Sequence, residues 1–90
     1  MAHAILVQVK LDPASGADHR LAILRDFVSP EVRALAGFRN AMWMNDGGGS
    51  GACRVVFDTR AHADRALGSL TRPDGPPVIG SAVYEVELEI

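Results

Sequence analysis

Two segments with helical periodicity, each flanked by extended apolar runs, constrain the fold of this chain more than any other feature. In the first segment, apolar residues recur from Ala17 at steps of four, three and four and end at Val28. The second segment, 59–70, is rich in alanine. Its apolar face comprises Ala63, Ala66, Leu67 and Leu70. Such spacing gives each helix one apolar face, which must pack against another layer of the protein.

A serine–proline pair beginning at Ser29 interrupts the first helical segment. Proline disrupts a helix interior but suits the first turn of a helix. We therefore expect Ser29 to cap a second short helix, 30–35, which Gly37 ends. Asp58 or Thr59 is expected to cap the later helix.

Four extended apolar runs surround these helices and predict four β-strands. They span residues 3–11, 38–45, 52–58 and 83–90. The order is therefore β-α-β-β-α-β, the plan of the ferredoxin-like α+β fold, with a four-stranded antiparallel sheet and two helices on one face. The last run alternates between apolar residues and glutamates, which is typical of a strand at a sheet edge. The other sheet face has no helix to cover it, and a second copy of the chain is the simplest cover.

The composition narrows the classes of protein that fit this plan. Ninety residues make one domain, 1–90, and the hydrophobic fraction of 48% is high enough that some apolar surface is expected to enter a homodimer. A net charge of −2 opposes nucleic-acid binding. No apolar run approaches the ~20 residues that span a bilayer, so we expect a cytoplasmic protein without a membrane partner. The excess of arginine over lysine indicates a bacterial source.

The glycine-rich stretch 47–51 is similar to a phosphate-binding loop only in composition. A dinucleotide fingerprint requires a third glycine where Arg54 stands, and a helix after it, whereas this chain continues into a predicted strand. A Walker loop requires a lysine that the stretch lacks. The stretch is therefore predicted to be a hairpin loop between the second and third strands.

The spacing of reactive side chains identifies no catalytic or metal-binding group. The single cysteine, Cys53, falls in a predicted strand, where a cysteine usually serves as a small apolar residue. The three histidines share no i, i+4 spacing, and no Cys/His pattern predicts zinc. Ala52 and Arg54 occupy positions where RNA-recognition strands carry aromatic residues, which argues against RNA binding. We predict no metal and no cofactor, and the catalytic residues stay unknown.

Aromatic and sulfur-containing side chains recur on neighbouring elements and form the most suggestive cluster in the sequence. One interpretation is an ordinary hydrophobic core. The other is a pocket between helices and sheet that holds a flat aromatic ligand, with Gln8 and Arg54 as polar anchors. The candidate pocket residues are Gln8, Phe27, Trp43, Arg54, Phe57 and Tyr84. The sequence leaves open which face of the first and third strands lines such a pocket.

The stretches "ILVQVKL", "LRDFVSPEVRALAGF" and "VVFDTRAHADRAL" together resemble the dimeric α/β-barrel superfamily, in particular its antibiotic biosynthesis monooxygenase-like branch. The resemblance implies a homodimer whose open sheet faces pack into a barrel, with a ligand pocket in each protomer between sheet and helices. The haem-degrading members carry an Asn, a Trp and a His at places that here hold Gln8, Phe57 and Ala66 or Leu67. The resemblance therefore does not extend to haem degradation.

Two hypotheses of function follow from the resemblance and the residues together. In the first, the protein is a cofactor-independent, monooxygenase-like oxidoreductase that binds a flat, electron-rich phenol. Gln8 or Arg54 would then stabilise negative charge, while Trp43 and Phe57 stack on the rings. In the second, the protein is a non-catalytic small-molecule-binding or structural homodimer. Neither the substrate nor assembly beyond a dimer can be named from the sequence.

Overall fold

The structure, a computed structural model, describes residues 1–12, 14, 16–71 and 75–90. Its strands are β1 His3–Lys10, β2 Phe38–Asn45, β3 Ser50–Phe57 and β4 Val78–Glu85. Its helices are α1 Ala17–Ile23, a π-helical segment Leu24–Val28, α2 Ser29–Arg33 and α3 Arg60–Leu70. The strands form one antiparallel sheet in the order β2-β3-β1-β4. The predicted ferredoxin-like α+β fold is confirmed.

The two faces of the sheet differ sharply in burial. Ile5 and Val7 of β1 and Val55 of β3 point towards the helices and are fully buried together with Val32 of α2 and Ala63 of α3. We call this side the helix-covered face. The alternate residues of each strand point to the opposite side, which we call the open face because no described helix packs on it. The core of the protein therefore lies on one side of the sheet only.

Helix α3 packs closely on the sheet because its inward side chains are small. Ala63 and Ala66 are buried, and Leu67 and Leu70 pack at the margin of the core. Thr59 is the N-cap residue, and its hydroxyl accepts a hydrogen bond from the backbone N–H of His62 at 3.2 Å. The cap predicted at Asp58 or Thr59 is thus Thr59.

The first helix differs from the expectation at Ser29. Ser29 has helical φ and ψ angles, and no side-chain cap bond forms there. Instead its backbone N–H donates to the carbonyl of Leu24, five residues earlier, which is the π-helical pattern. Pro30 has no N–H to donate and crowds the preceding turn, so a widened turn lets the helix continue. We refer to the continuous run 17–33 as the first helix. Gly37 follows it with a φ of 78°, as predicted.

The last strand begins and ends five residues earlier than the alternating pattern predicted. β4 pairs with β1 from Val78 opposite Val9 to Glu85 opposite His3. Beyond Glu85, one more backbone bond joins the Val86 N–H to the carbonyl of Ala2, and the chain then leaves the sheet. β4 can pair only as far as β1 extends, so the start of β1 at His3 ends β4 at Glu85. The proline- and glycine-containing stretch 71–77 predicts a loop, and its residues 72–74 lie outside the described residues.

No helix within the described ranges is long and apolar enough to cross a membrane.

Candidate functional site

Two of the six residues predicted to line a pocket lie on the helix-covered face. Phe57 is 0% exposed and belongs to the centre of the core. Trp43 lies opposite Cys53 in the β2–β3 ladder, and its half-buried side chain packs at the margin of the same core. Phe57 therefore fills space beneath the helices, while Trp43 borders it.

Three other candidates lie on the open face. Arg54 alternates with the buried Val55 and is exposed between its ladder partners Leu6 and Met42. Gln8 pairs with Ala52 on one side, and its Oε1 lies 3.1 Å from the position that a Cβ on Gly80 would take. Tyr84 is opposite Ala4 on the same face. A ligand beneath the helices would therefore not meet these three side chains in the same protomer.

The sixth candidate, Phe27, belongs to the π-helical segment and is 70% exposed. The six predicted residues therefore fall in three places, and the structure does not gather them into one pocket. The question left open by the sequence, which strand face adjoins the helices, is answered by the side that holds Trp43 and Phe57.

The first helix is only weakly packed on the sheet. Neither α1 nor the π-helical segment contains a buried residue, although both are rich in apolar side chains. Leu21, Ile23 and Phe27 are all exposed. By contrast, Val32 of α2 is buried, so the end of the first helix is anchored while its beginning is not. Exposed apolar surface of this kind often marks a site for a ligand or another protein.

A recess of about 270 Å³ lies at that weakly packed end. Ala17 and Arg20 of α1 line one side, and the loop of the β2–β3 hairpin lines the other. Its lining comprises Leu11, Asp12, Ala17, Arg20, Asn45, Gly47 and Gly49. The recess therefore opens between the beginning of the first helix and the hairpin end of the sheet, and none of the six candidate pocket residues lines it.

None of the seven lining residues was among the sequence candidates, and Arg20 supplies the positive charge among them. Arg20 is half-buried and lines the recess. A signal for this existed in the spacing, because Arg20 follows Ala17 by three residues and so shares its side of the helix. The guanidinium supplies a permanent positive charge and a fan of N–H donors at this site.

The glycine-rich loop is a hairpin turn, as predicted. Gly47 and Gly49 adopt φ angles of 75° and 97°, in the left-handed region that glycine favours. Asp46 Oδ1 accepts hydrogen bonds from the N–H groups of Gly48 at 2.7 Å and Ser50 at 3.0 Å. These bonds hold the pKa of the Asp46 carboxyl below its usual range. An ionised carboxylate that already occupies the loop amides opposes phosphate binding there.

A second recess, of about 310 Å³, lies on the open face at the same end of the sheet. Gln8, Met44, Ala52 and Ile79 form its floor, and the hairpin residues Asn45, Asp46, Ser50 and Gly51 complete the lining. It is shallow and open. Met44 and Ile79 were not among the candidate residues, although the alternation of β2 places Met42 and Met44 on one side.

Two other reactive side chains, Cys53 and His62, have contacts that serve the fold. Burial raises the pKa of the Cys53 thiol, which keeps the sulfur protonated and weakly nucleophilic. The Nδ1 atom of His62 lies 2.9 Å from the Thr59 hydroxyl, and its ring occupies the space that a Cβ on Gly37 would need. Among the described residues, no group of three or more His, Cys, Asp or Glu side chains is arranged to hold a metal ion.

Comparison with known proteins identifies the fold but not a family by sequence. No protein-family model matches the chain, and no curated protein matches it. A protein of unknown function from Nitrosomonas europaea superposes with a TM-score of 0.69 at 17% identity, covering 99% of this chain and 92% of that one. SnoaB, a cofactor-independent oxygenase from Streptomyces nogalater, superposes with a TM-score of 0.68 at 11% identity, covering 99% and 96%.

A monooxygenase from Streptomyces coelicolor, in complex with the ligand nanaomycin D, superposes with a TM-score of 0.60 at 19% identity, covering 99% of this chain and 90% of that one. This chain has the ferredoxin-like fold of the antibiotic biosynthesis monooxygenase-like proteins. The resemblance predicted from the sequence is confirmed at the level of the fold. Identities of this size carry neither an activity nor a ligand from one protein to the other.

Proposed function

We propose that the protein binds a flat aromatic small molecule between the first helix and the sheet, and acts on it as a cofactor-independent, monooxygenase-like oxidoreductase. The observation that carries the proposal is the weak packing of the first helix, which leaves Leu21, Ile23 and Phe27 exposed and has a recess beside Ala17 and Arg20 at its beginning. A helix that is required only for stability would bury its apolar side chains. Here they are available to a ligand.

The chemistry of the recess favours a phenol that ionises easily. Arg20 offers positive charge to a phenolate oxygen, and Leu11 and Ala17 offer apolar contact. The volume of about 270 Å³ is close to the lower end of the usual range for small-molecule sites, roughly 300–1,000 Å³. Arg20 thus takes the role that the sequence assigned to Gln8 or Arg54.

In cofactor-independent oxygenation, the deprotonated ligand itself supplies electrons to O₂. The contribution required of the protein is to bind the ligand as its anion and to stabilise negative charge as it moves. Arg20 fits both requirements, because a guanidinium keeps its charge at all physiological pH values. The SnoaB and Streptomyces coelicolor structures support this proposal through the shared fold, and the recess supports it through its position.

Binding is tested with the chain's own fluorescence, because Trp43 is its single tryptophan and packs at the margin of the core beneath the helices. We expect a panel of mono- and bicyclic phenols to quench or shift Trp43 emission saturably. Arg20→Gln should weaken binding by about tenfold, the loss of one charge-assisted hydrogen bond. Arg65→Gln, a change of the same charge on the exposed side of α3, is the matched control and should bind normally. Absence of saturable binding for every phenol would overturn the proposal.

A second candidate, non-catalytic binding or a purely structural homodimer, is favoured by one observation. Gln8 and Arg54, the polar groups expected to stabilise a reacting anion, lie on the open face. O₂ consumption and product analysis with each phenol that binds separate the two candidates. Binding without O₂ uptake or a changed product favours the non-catalytic candidate, while turnover lost in Arg20→Gln supports the oxygenase.

We also propose that two copies pair through their open faces. Met42, Met44 and Tyr84 are exposed there, and exposed apolar patches of this kind usually mark an interface. Met42→Glu should convert a dimer to a monomer in light scattering after gel filtration, while Ala61→Glu on the exposed side of α3 should not. A monomeric unmodified protein at micromolar concentration would contradict the pairing. A bacterial, cytoplasmic setting stays a prediction.

A further inference from the structure

The segment after β4, residues 86–90, joins the two edges of the sheet, and we call it the strap. It starts beside β1, where the Val86 N–H donates to the Ala2 carbonyl at 2.9 Å. It then reaches β2, the opposite edge strand, through Glu89. Because the strand order is β2-β3-β1-β4, the strap must pass over or around β1 and β3 on the way.

The burial of two small residues shows which side the strap takes. Ala4 and Val56 are ladder partners on the open face, and they are only 8% and 5% exposed. Met42, further along the same face, is 46% exposed. Asn40 is the β2 partner of Val56, and its Nδ2 donates to Glu89 Oε2 at 2.8 Å. The contact with Asn40 therefore brings the strap to the end of the open face at which Ala4 and Val56 are buried.

Glu89 fastens the strap with both carboxylate oxygens. Its Oε1 accepts from Arg39 Nη2 at 2.6 Å, while Oε2 accepts from Asn40. Arg39 also donates to Asp58 at 3.4 Å, so its guanidinium ties the strap to the end of β3 as well. The β2 register shifts between Phe38 and Asn40, which sets Arg39 outside the regular ladder. All of these groups are partly exposed, so salt and water weaken the contacts.

We propose that the strap is an openable cover, with Glu89 as its latch, for one end of the open face. Closed, it shields Ala4 and Val56 from solvent. Open, it adds both side chains to the apolar surface of that face. Leu88 and Ile90 are exposed in the closed state, so the polar contacts of Glu89, rather than burial of these two apolar side chains, hold the strap down. The proposal does not depend on ligand binding or on pairing of two copies.

The test measures access to position 56 by thiol labelling. Val56→Cys is made with Cys53→Ala, so that the new thiol is the only one in the chain. We expect Glu89→Gln to raise the labelling rate about fivefold, as the loss of an exposed ion pair permits, and a chain ended after Val86 to label faster still. Glu87→Gln, the same change two residues away, is the control and should leave the rate unchanged. Salt at 1 M should speed labelling of the intact strap.

A second site separates the strap from pairing of two copies. Met42→Cys lies on the open face away from the strap, so slow labelling there reports cover by a second copy. Val56→Cys that labels equally slowly with and without the strap overturns the strap proposal, whatever Met42→Cys shows. If the Val56→Cys variant folds poorly, hydrogen exchange of the Val86 amide in the Glu89→Gln variant replaces the labelling experiment, because this amide donates to the Ala2 carbonyl while the strap is closed. Exchange that is no faster than in the unmodified chain also overturns the proposal.

Discussion

Helix α3 and the first helix cover the same face of the sheet, but they do so in opposite ways. α3 is short, regular and capped by Thr59, and it presses Ala63 and Ala66 against β1 and β3. The first helix is longer, is widened by a π-helical turn and buries only Val32 near its end. Small inward residues allow close packing, whereas the large apolar residues of the first helix remain exposed.

This difference indicates a division of labour between the two helices. The part of the core under α3 is closely packed through the small side chains of Ala63 and Ala66. The part under the first helix keeps apolar side chains and Arg20 beside a recess. π-helical turns occur often at functional sites, because the extra residue redirects side chains at a cost in stability. The same type of substitution, made once in the part of the core under α3 and once in the first helix, therefore tests whether the two helices differ in this way.

The largest expected difference in stability is between removing the ring of Phe57 in the core and removing the ring of Phe27 in the first helix. Phe57→Ala should lower the free energy of unfolding by about 3–5 kcal/mol, because the ring is fully buried in the core. Phe27→Ala should change it by less than about 0.5 kcal/mol, because the ring is exposed. Denaturant titration followed by Trp43 fluorescence measures both. Comparable losses of stability would show that the first helix is as much a part of the core as α3.

The next largest difference in stability is expected when an alanine of each helix is replaced by leucine. Ala63→Leu should cost about 1–3 kcal/mol, because α3 would have to move away from the sheet. Ala22→Leu on the first helix should cost less than about 0.5 kcal/mol, since no residue of α1 is buried. Thermal unfolding followed by circular dichroism compares the two variants. A destabilised Ala22→Leu variant would mean that the first helix is tightly packed in solution.

Caps provide a smaller contrast between the same helices. Thr59→Ala removes a hydroxyl that accepts the His62 N–H and should cost about 1 kcal/mol. Ser29→Ala should be nearly neutral, because Ser29 lies within a continuous helix and forms no side-chain cap bond. Unfolding midpoints in urea measure both. Equal costs would restore the two-helix interpretation that the sequence favoured.

The sequence was sufficient for the fold because local patterns set most of it. The apolar face of α3, the Gly37 conformation and the hairpin glycines each follow from spacing or from backbone freedom, and each was predicted. The end of β4 was not, because the glutamate alternation continues beyond the point where β1 stops offering partners. A strand boundary of this kind is set by the neighbouring strand, which no local pattern contains.

The candidate site was harder to predict because sheet faces and helix packing are non-local. Gln8 and Trp43 are both plausible pocket residues by type, but alternation and register place them on opposite faces. Nothing in the spacing of Ser29 and Pro30 requires a π-helical turn, which arises from the way that the helix accommodates proline. Arg20 was not among the candidates for the same reason, since the recess that it lines also requires a hairpin 25 residues away.

The smallest expected effect concerns the hairpin that forms the other wall of the recess. The folded-state pKa of Asp46 is lowered by the N–H groups of Gly48 and Ser50, so the ionised carboxylate favours the folded hairpin. That contribution is fully present above the unfolded-state pKa of about 3.9 and is lost as the pH falls through the lower folded-state pKa. Asp46→Asn should therefore flatten the acid side of a stability–pH profile measured by urea unfolding.

Asp18→Asn, which changes an exposed carboxylate on α1, is the control for Asp46→Asn. An equal flattening in Asp18→Asn would mean that the overall charge of the protein, rather than the hairpin, sets the profile. Because Asp46 is remote from the contacts of α3, its loss should loosen only the recess, which a weaker phenol affinity at pH 7 would reveal.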